Sequence, residues 1–449
     1  MTTDAVPRAL AKACAGAGPA APGDAVAGVA PRYAAAPATI GEASALLGAA
    51  AAEGLAVVAR GTGSKLSWGA PPERCDLVLD MTRLDQVLEH AAGDLVVKAQ
   101  AGVRLDRLSE VLAGAGQQLA IDLPAADLAP GQPAARAGAP GSGTVGGLLA
   151  TGIAGPRRLR YGTPRDLVIG VTMIRADGTV ARSGGKVVKN VAGYDLGKLL
   201  AGSYGTLGVI AEATFRLHPL PAAVAYVTAG FGDPAAAREA VAAVTASQAT
   251  PSAVEIDRPA RGGAVRLGVL VEGDAGPVAE RAALLAGTLG GDAVPAPAAP
   301  DWWGWPFPAW ADGSGTLVRV AFWASALVSV LAAIDGAGTA AGLDPAVGGS
   351  AGAGVLFASL PADADPAAVA AFVAALRKAL SGGSGRPADV PAGALPPAPG
   401  STVVLHAPPA VRESVSAWGP LPALGLMGAV KDQFDPGHLL APGRFAGGI

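Results

Sequence analysis

Cysteine, aromatic side chains and charge are all scarce in this chain of 449 residues, and each shortage narrows what it can be. Two cysteines, Cys14 and Cys75, cannot build a disulfide scaffold, an iron–sulfur ligand set or a four-cysteine zinc site, and they fit a reducing compartment. Aromatics are 4% of the residues and the net charge is −3, so the basic stripe and stacking platforms of a nucleic-acid binder are missing. Charged residues amount to 15% against 51% hydrophobic, which excludes a disordered chain. Glycine is abundant, at 64 residues, without the strict triplet of collagen. The longest uncharged apolar run, Val320–Ile334, has 15 residues, short of the roughly 20 of a spanning helix. The first residues carry Asp4 and no long apolar stretch, so no signal peptide is expected. These features predict a folded cytoplasmic protein whose contact with the inner face of a membrane, if any, is peripheral and made through a partner.

Length favours two or three domains. Residues 1–30, rich in Ala, Gly and Pro, read as a weak helix or tail. Thr39 followed by Glu42 predicts a capped helix to about Glu53. The strand Leu55–Ala59, the glycine loop Gly61–Ser64 and the strand Asp76–Leu79 follow. Leu84–Ala91 reads as a helix, Leu95–Ala99 as a strand and Leu105–Ala115 as a helix. Asp177-Gly178, between Val168–Arg175 and Val180–Arg182, is the strongest hairpin signal, and Leu207–Leu217 closes the first apolar block. Beyond Pro221 the rhythm is that of a βαββαβ arrangement, an antiparallel sheet with helices on one face. The boundaries follow: 1–221, 222–400 as a smaller α+β unit, and 401–449 returning to the first.

Three glycine-rich segments carry the chemistry. Arg60-Gly-Thr-Gly-Ser-Lys65 directly follows an apolar strand, where backbone N–H groups can turn toward an anion with hydroxyls and a cation beside them. It is neither a P-loop nor a Rossmann turn; a plain turn is the alternative. Gly143-Thr-Val-Gly-Gly147, with Thr151, Gly152 and Gly155, offers a second backbone surface, or else a small-residue helix packed on a sheet. Gly202–Gly208 offers a third. Together they suit a large ligand with a pyrophosphate and an extended planar system.

At this point the chain resembles the FAD-binding domain of vanillyl-alcohol oxidase-type flavoproteins. Arg60–Lys65 matches its pyrophosphate loop and Gly143–Gly155 its central flavin-contacting segment. Gly184–Pro221, with Val430–Gly437 and Ala441–Phe445, is similar to the FAD-binding subunits of bacterial glycolate oxidases. The resemblance implies an α+β fold, with a two-subdomain FAD-binding domain and a ferredoxin-like cap. It implies cofactor contacts by Arg60, Gly61, Thr62, Gly63, Ser64, Lys65, Pro124, Gly143, Thr144, Gly146, Gly147, Thr151, Gly152, Gly155, Lys189, Gly205, Gly208, Val209 and Ile210. Ser64 stands where covalent members carry a histidine, so non-covalent FAD is expected. The implied partners are a second flavin-binding subunit, an iron–sulfur subunit and a small 2-hydroxy acid.

The implied activity is that of an FAD-dependent oxidoreductase, of the glycolate or D-lactate dehydrogenase type, working in a complex. It would oxidise the 2-hydroxy acid or relay its electrons; a non-catalytic flavin-bearing assembly subunit is the alternative. Lys189 is the candidate to stabilise a reduced flavin, and Arg157 and Arg160 are candidates to hold a carboxylate. His90, His218, His406 and His438 form no metal-binding pair, so no metal is expected. Four of the seven tryptophans crowd into Trp302–Trp310, as loop packing on the cap, a partner interface or a substrate wall.

Overall fold

In the computed structural model, residues 7–122, 143–185, 194–291, 293–304, 315–381 and 400–449 are described. Pro124, Lys189, Trp305 and Trp310 lie outside them.

Thr39 Oγ1 accepts from the Glu42 amide at 3.1 Å, starting a helix over Ile40–Ala52 that buries Ala43, Leu46, Leu47 and Ala50. Glu42 answers the amide of Ala38 rather than that of Thr39, so the capping box is displaced by one residue. The helix delivers the chain into a four-stranded sheet of β1 (Gly18–Pro19), β2 (Tyr33–Ala35), β3 (Val57–Arg60) and β4 (Leu77–Asp80), ordered β1-β2-β4-β3. β4 pairs in parallel with both β2 and β3. Of the two readings of the first residues, the structure has the short helix, Arg8–Ala13, and the stretch from Arg8 onward is part of this unit. Leu10 and Val26 are fully buried, and Gly18–Pro19 pairs with Tyr33–Ala34. Two anchors in so Ala-rich a stretch leave no periodicity to read.

The second sheet is antiparallel throughout, in the order β5-β6-β10-β8-β9. Its strands are β5 (Val87–Ala91), β6 (Val96–Gln100), β8 (Val168–Ile174), β9 (Val180–Gly184) and β10 (Val209–Arg216), while β7 (Gln117–Gln118) pairs with β11 (His218–Pro219). The helix expected over Leu84–Ala91 is the edge strand β5. A turn at Ala92–Asp94, ending on Leu95 in the left-handed region, folds it back on β6, and five residues are too few for periodicity to overrule that pairing. The Asp177-Gly178 hairpin forms as expected between β8 and β9.

Beyond Pro221 there are two βαββαβ units, not one. β12 (Ala223–Phe231), β13 (Ala253–Arg258), β14 (Val265–Gly273) and β15 (Val294–Ala296) build the first. β16 (Thr316–Ala321), β17 (Ala346–Ser350), β18 (Val355–Leu360) and β19 (Ser401–His406) build the second. Each has the ferredoxin-like order, β15-β12-β14-β13 and β19-β16-β18-β17. They join through β13 and β17 into one eight-stranded antiparallel sheet. Pro295 in β15 and the paired glycines of β17 disguised those two strands in the sequence. Ser401–His406, assigned above to the returning segment, is the edge strand beside β16. Pairing with a strand some 80 residues earlier leaves no local trace.

Helices Pro234–Ala246, Ala275–Leu289, Leu327–Ala341 and Pro366–Leu380 cover one face of this sheet. Ala324–Ala341 reaches the length and apolarity of a membrane span, but buries Leu327, Val330, Leu331 and Ile334 in that core. On the other face, Leu317, Phe357, Val403 and Leu405 of the second repeat pack into the core of the five-stranded sheet. The corresponding face of the first repeat is covered by Trp302 and Trp303 against Tyr226 and Leu270. Loop packing on the cap is therefore the outcome for these two tryptophans.

Candidate functional site

A cleft of about 900 Å³ opens between the two small sheets. Its first wall is Arg60–Leu66, its second Gly143, Thr144 and Gly146–Leu148 with Thr151, and its third Tyr204, Gly205, Gly208 and Ile210. Three turns far apart in sequence thus meet around one space. The contact between the first two is tight, since a β-carbon on Gly61 would lie 2.2 Å from Thr144 Oγ1. Thr144 also caps the Val145–Thr151 helix, accepting from the Gly147 amide at 3.3 Å.

The first turn is held from behind. Arg60 donates to Asp24 at 2.7 Å and Asp80 at 2.8 Å, and those carboxylates raise its pKa against the opposing effect of burial. Arg60 is therefore a strut for the loop, its charge already compensated. The amides of Thr62, Gly63 and Ser64 donate to no carbonyl or side chain among the described residues and line the cleft. Lys65 Nζ stands 3.3 Å from Ser64 Oγ and 5.7 Å from the Trp68 ring centroid. Unpaired backbone donors with hydroxyls and a cation suit a pyrophosphate. Backbone donors without a competing side chain fit FAD, and no histidine in the loop can bond to a flavin.

Arg444 completes the cleft from the far end of the chain. It is 3% exposed, donates to the carbonyls of Leu66 at 3.0 Å and Trp68 at 2.8 Å, and burial pulls its pKa down to about 10. Leu439–Ala441 lies alongside β3, the Val57 amide donating to the Leu439 carbonyl and the Val57 carbonyl accepting from the Ala441 amide. Lys431, fully buried, donates to Asp435 at 2.7 Å and to the carbonyls of Thr206 and Leu440 at 2.8 and 2.9 Å. Asp435 in turn accepts from the amides of Leu439 and Leu440. This buried ion pair is satisfied on both sides, and it fastens the returning segment to the third glycine turn.

A second chamber of about 1500 Å³ lies between the cleft and the eight-stranded sheet, and Thr151 and Tyr204 belong to the walls of both. Arg165, Arg319 and Arg377 line it, and among the described lining residues there is no carboxylate, histidine or lysine. Tyr204 sits with φ +56°, its ring 5.1 Å from Trp418 in an edge contact. Burial pushes the phenol pKa up, while Arg319 and Arg444 pull it down.

Most of the predicted residues gather at the cleft, with five departures among those described. Gly152 lines the second chamber, and Gly155 and Val209 line neither space. Arg157 and Arg160, offered as carboxylate holders, line neither space too. Arg157 bonds Asp122 at 2.6 Å and Gln118 at 2.7 Å and stands 3.5 Å from Glu272, joining the flavin-side unit to the cap. Arg160 donates to Ser252 Oγ at 3.3 Å across the same junction. Both guanidiniums are used as structural ties. Arg319 and Arg377, which the sequence reading did not single out, come from β16 and the Pro366–Leu380 helix. The only signal was alternation: Arg319 interrupts an otherwise apolar strand. Among the described residues no group of His, Cys, Asp and Glu could hold a metal ion.

Residues 31–184 match the FAD binding domain family. An uncharacterised FAD-linked oxidoreductase of Mycobacterium tuberculosis is 35% identical over 225 residues, 50% of this chain and 46% of that protein. A D-lactate dehydrogenase of Archaeoglobus fulgidus is 38% identical over 178 residues, 40% of this chain and 37% of that one. Glycolate oxidase subunit GlcE of Escherichia coli is 37% identical over 167 residues, 37% of this chain and 43% of that subunit. The matches thus span less than half the length of these curated relatives. A chitooligosaccharide oxidase structure aligns with 96% of this chain and 97% of its own, at 17% identity and a TM-score of 0.63, which shows a shared fold.

Proposed function

With an FAD-binding domain over residues 31–184 as the premise, we propose that this chain is the flavin-bearing part of a 2-hydroxy-acid dehydrogenase. The carrying observation is that the cofactor cleft and an arginine-lined chamber share the walls Thr151 and Tyr204. FAD supplies a two-electron acceptor when bound. The amides of Thr62, Gly63 and Ser64 would hold its pyrophosphate, with Lys65 beside them, and Gly143–Gly147 and Gly205–Ile210 would flank the rest. In the chamber Arg319 orients a substrate carboxylate, and the sheet face carrying Leu317 and Phe357 excludes water. Oxidation to the 2-oxo acid removes two electrons and two protons, and the electrons leave for an acceptor outside this chain. Cys14 and Cys75 are both buried, so an iron–sulfur relay belongs to a partner subunit.

A second reading, flavin-bearing electron relay without substrate chemistry, is favoured by one feature. The described chamber lining has three arginines but no carboxylate, histidine or lysine to take the hydroxyl proton.

The test is to purify the chain, reconstitute it with FAD and mix it anaerobically with glycolate, lactate and longer 2-hydroxy acids of both hands. We expect a yellow protein that releases intact FAD on denaturation, and a flavin band bleached by at least one of the acids. Flavin retention without bleaching by any acid selects the relay reading. A chain that cannot retain flavin overturns both.

A further inference from the structure

The chamber's charge is out of proportion to a small monocarboxylate. Arg319 stands at the middle of β16, paired with Val403 and Phe357, on the face where Leu317, Val403 and Leu405 pack toward the flavin-side unit. It has no carboxylate partner among the described residues. Arg377 reaches the same space from the helix Pro366–Leu380. Its Nη2 is spent on the carbonyls of Ser416 at 2.7 Å and Ala417 at 3.2 Å, and its buried Nε has no partner. Arg165, exposed on a short helix, adds a third guanidinium with no ion-pair partner among the described residues. Three arginines at other places in the fold do have acids: Arg157 has Asp122 and Glu272, Arg258 has Asp335 and Arg60 has two aspartates, whereas Arg444 is met by carbonyls alone. Withdrawing guanidiniums from water without anions is costly. One carboxylate engages one guanidinium fully, through a two-pronged contact.

We propose that the chamber binds an organic dianion, so that the substrate class is a 2-hydroxydicarboxylic acid rather than glycolate or lactate. The inference deepens the reading above and rests on it for the redox chemistry, though not for binding. Arg319, whose charge acts on Tyr204 at the shared wall, takes the carboxylate next to the reacting carbon. Arg377, which lines the same chamber and whose buried Nε has no partner among the described residues, takes the distal carboxylate.

Binding separates this from catalysis. Glutarate and pentanoate differ by one carboxylate and neither carries a hydroxyl to oxidise. Calorimetric titration of the FAD-loaded full chain is expected to show glutarate binding at least roughly tenfold more tightly than pentanoate, the scale of one charge-assisted contact. The gap should narrow as salt is raised. In R377Q the preference for glutarate should disappear while pentanoate affinity stays within about twofold. The wild-type comparison needs no variant, so a poorly folding R377Q would not rescue the proposal. Equal affinity for the two acids in the wild-type chain overturns it. Bleaching by glycolate or lactate without a dianion preference overturns it and leaves the 2-hydroxy-acid reading standing. Glutarate preference without bleaching by any acid supports the dianion site and removes the redox reading.

Discussion

Gly61 has no room for a side chain, and the neighbour that forbids one is protein. A β-carbon there would sit 2.2 Å from Thr144 Oγ1 and 2.9 Å from Thr144 Cγ2. G61A should force the first and second turns apart, at a cost of about 1–3 kcal/mol, and lower FAD occupancy measured as flavin absorbance per chain. T144A in the same chain removes both colliding atoms, at the expense of a helix cap worth about 1 kcal/mol, and should restore part of the occupancy. If G61A retains flavin as well as the wild type does, the two turns are not braced against each other. The sequence offered this glycine as a point of close backbone approach, with a plain turn as the alternative. It could not show whether a ligand or Thr144 imposes the need, because the partner lies 83 positions away.

At the level of elements, the cap sheet is two repeats sewn together along β13 and β17. Behind that seam Arg258, 1% exposed, grips Asp335 of the Leu327–Ala341 helix with both terminal nitrogens, at 2.9 and 2.6 Å. The arginine belongs to the first repeat and the aspartate to the second. D335A leaves a buried guanidinium without its counter-charge, so a loss of about 3–5 kcal/mol is expected. Chemical denaturation would show it; a change below about 1 kcal/mol would mean that the seam holds through its backbone ladder alone. Long amphipathic helices and the Asp-Gly hairpin were legible in the chain, because caps, breakers and periodicity act within a few residues. The strand Val87–Ala91, the strands β15 and β17 and the place of Ser401–His406 were not. Val87–Ala91 is too short to show a period and is settled by its hairpin with β6, Ser401–His406 is settled by a strand some 80 residues away, and the short Pro- or Gly-bearing strands β15 and β17 carry little propensity of their own. The cofactor cleft was legible for a related reason: glycine runs are local. The arginine chamber was hidden because its walls come from eight separate stretches.

Across the whole molecule, the flavin-side unit and the cap meet at a junction with one ill-matched acid. Glu255, on β13, is 3% exposed, its Oε1 has no hydrogen-bond partner, and burial pushes its pKa up to about 8 despite the pull of Arg158. Arg158 is itself lowered by burial to about 10. An acid whose pKa is raised on folding keeps its proton in the native state where the unfolded chain has lost it. Between its ordinary range near 4.5 and about 8 the native state therefore binds more protons, and stability falls as pH rises through that window. The slope from this one group is at most about 1.4 kcal/mol per pH unit. E255Q should flatten that segment of a melting-temperature profile and raise stability relative to the wild type above pH 8. An unchanged slope in E255Q would place the acid's titration elsewhere.

Arg444 reaches carbonyls of residues 66 and 68, a separation of 378 positions in the first case. During synthesis the Arg60–Lys65 turn leaves the ribosome long before the residues that wall it in. At roughly 5–20 residues per second the delay is on the order of half a minute. Throughout that interval the nascent chain presents a half-built socket, and a flavin arriving early meets a site with one side missing. The socket has all of its walls only once residue 444 has emerged, so flavin supplied after that point meets a complete site.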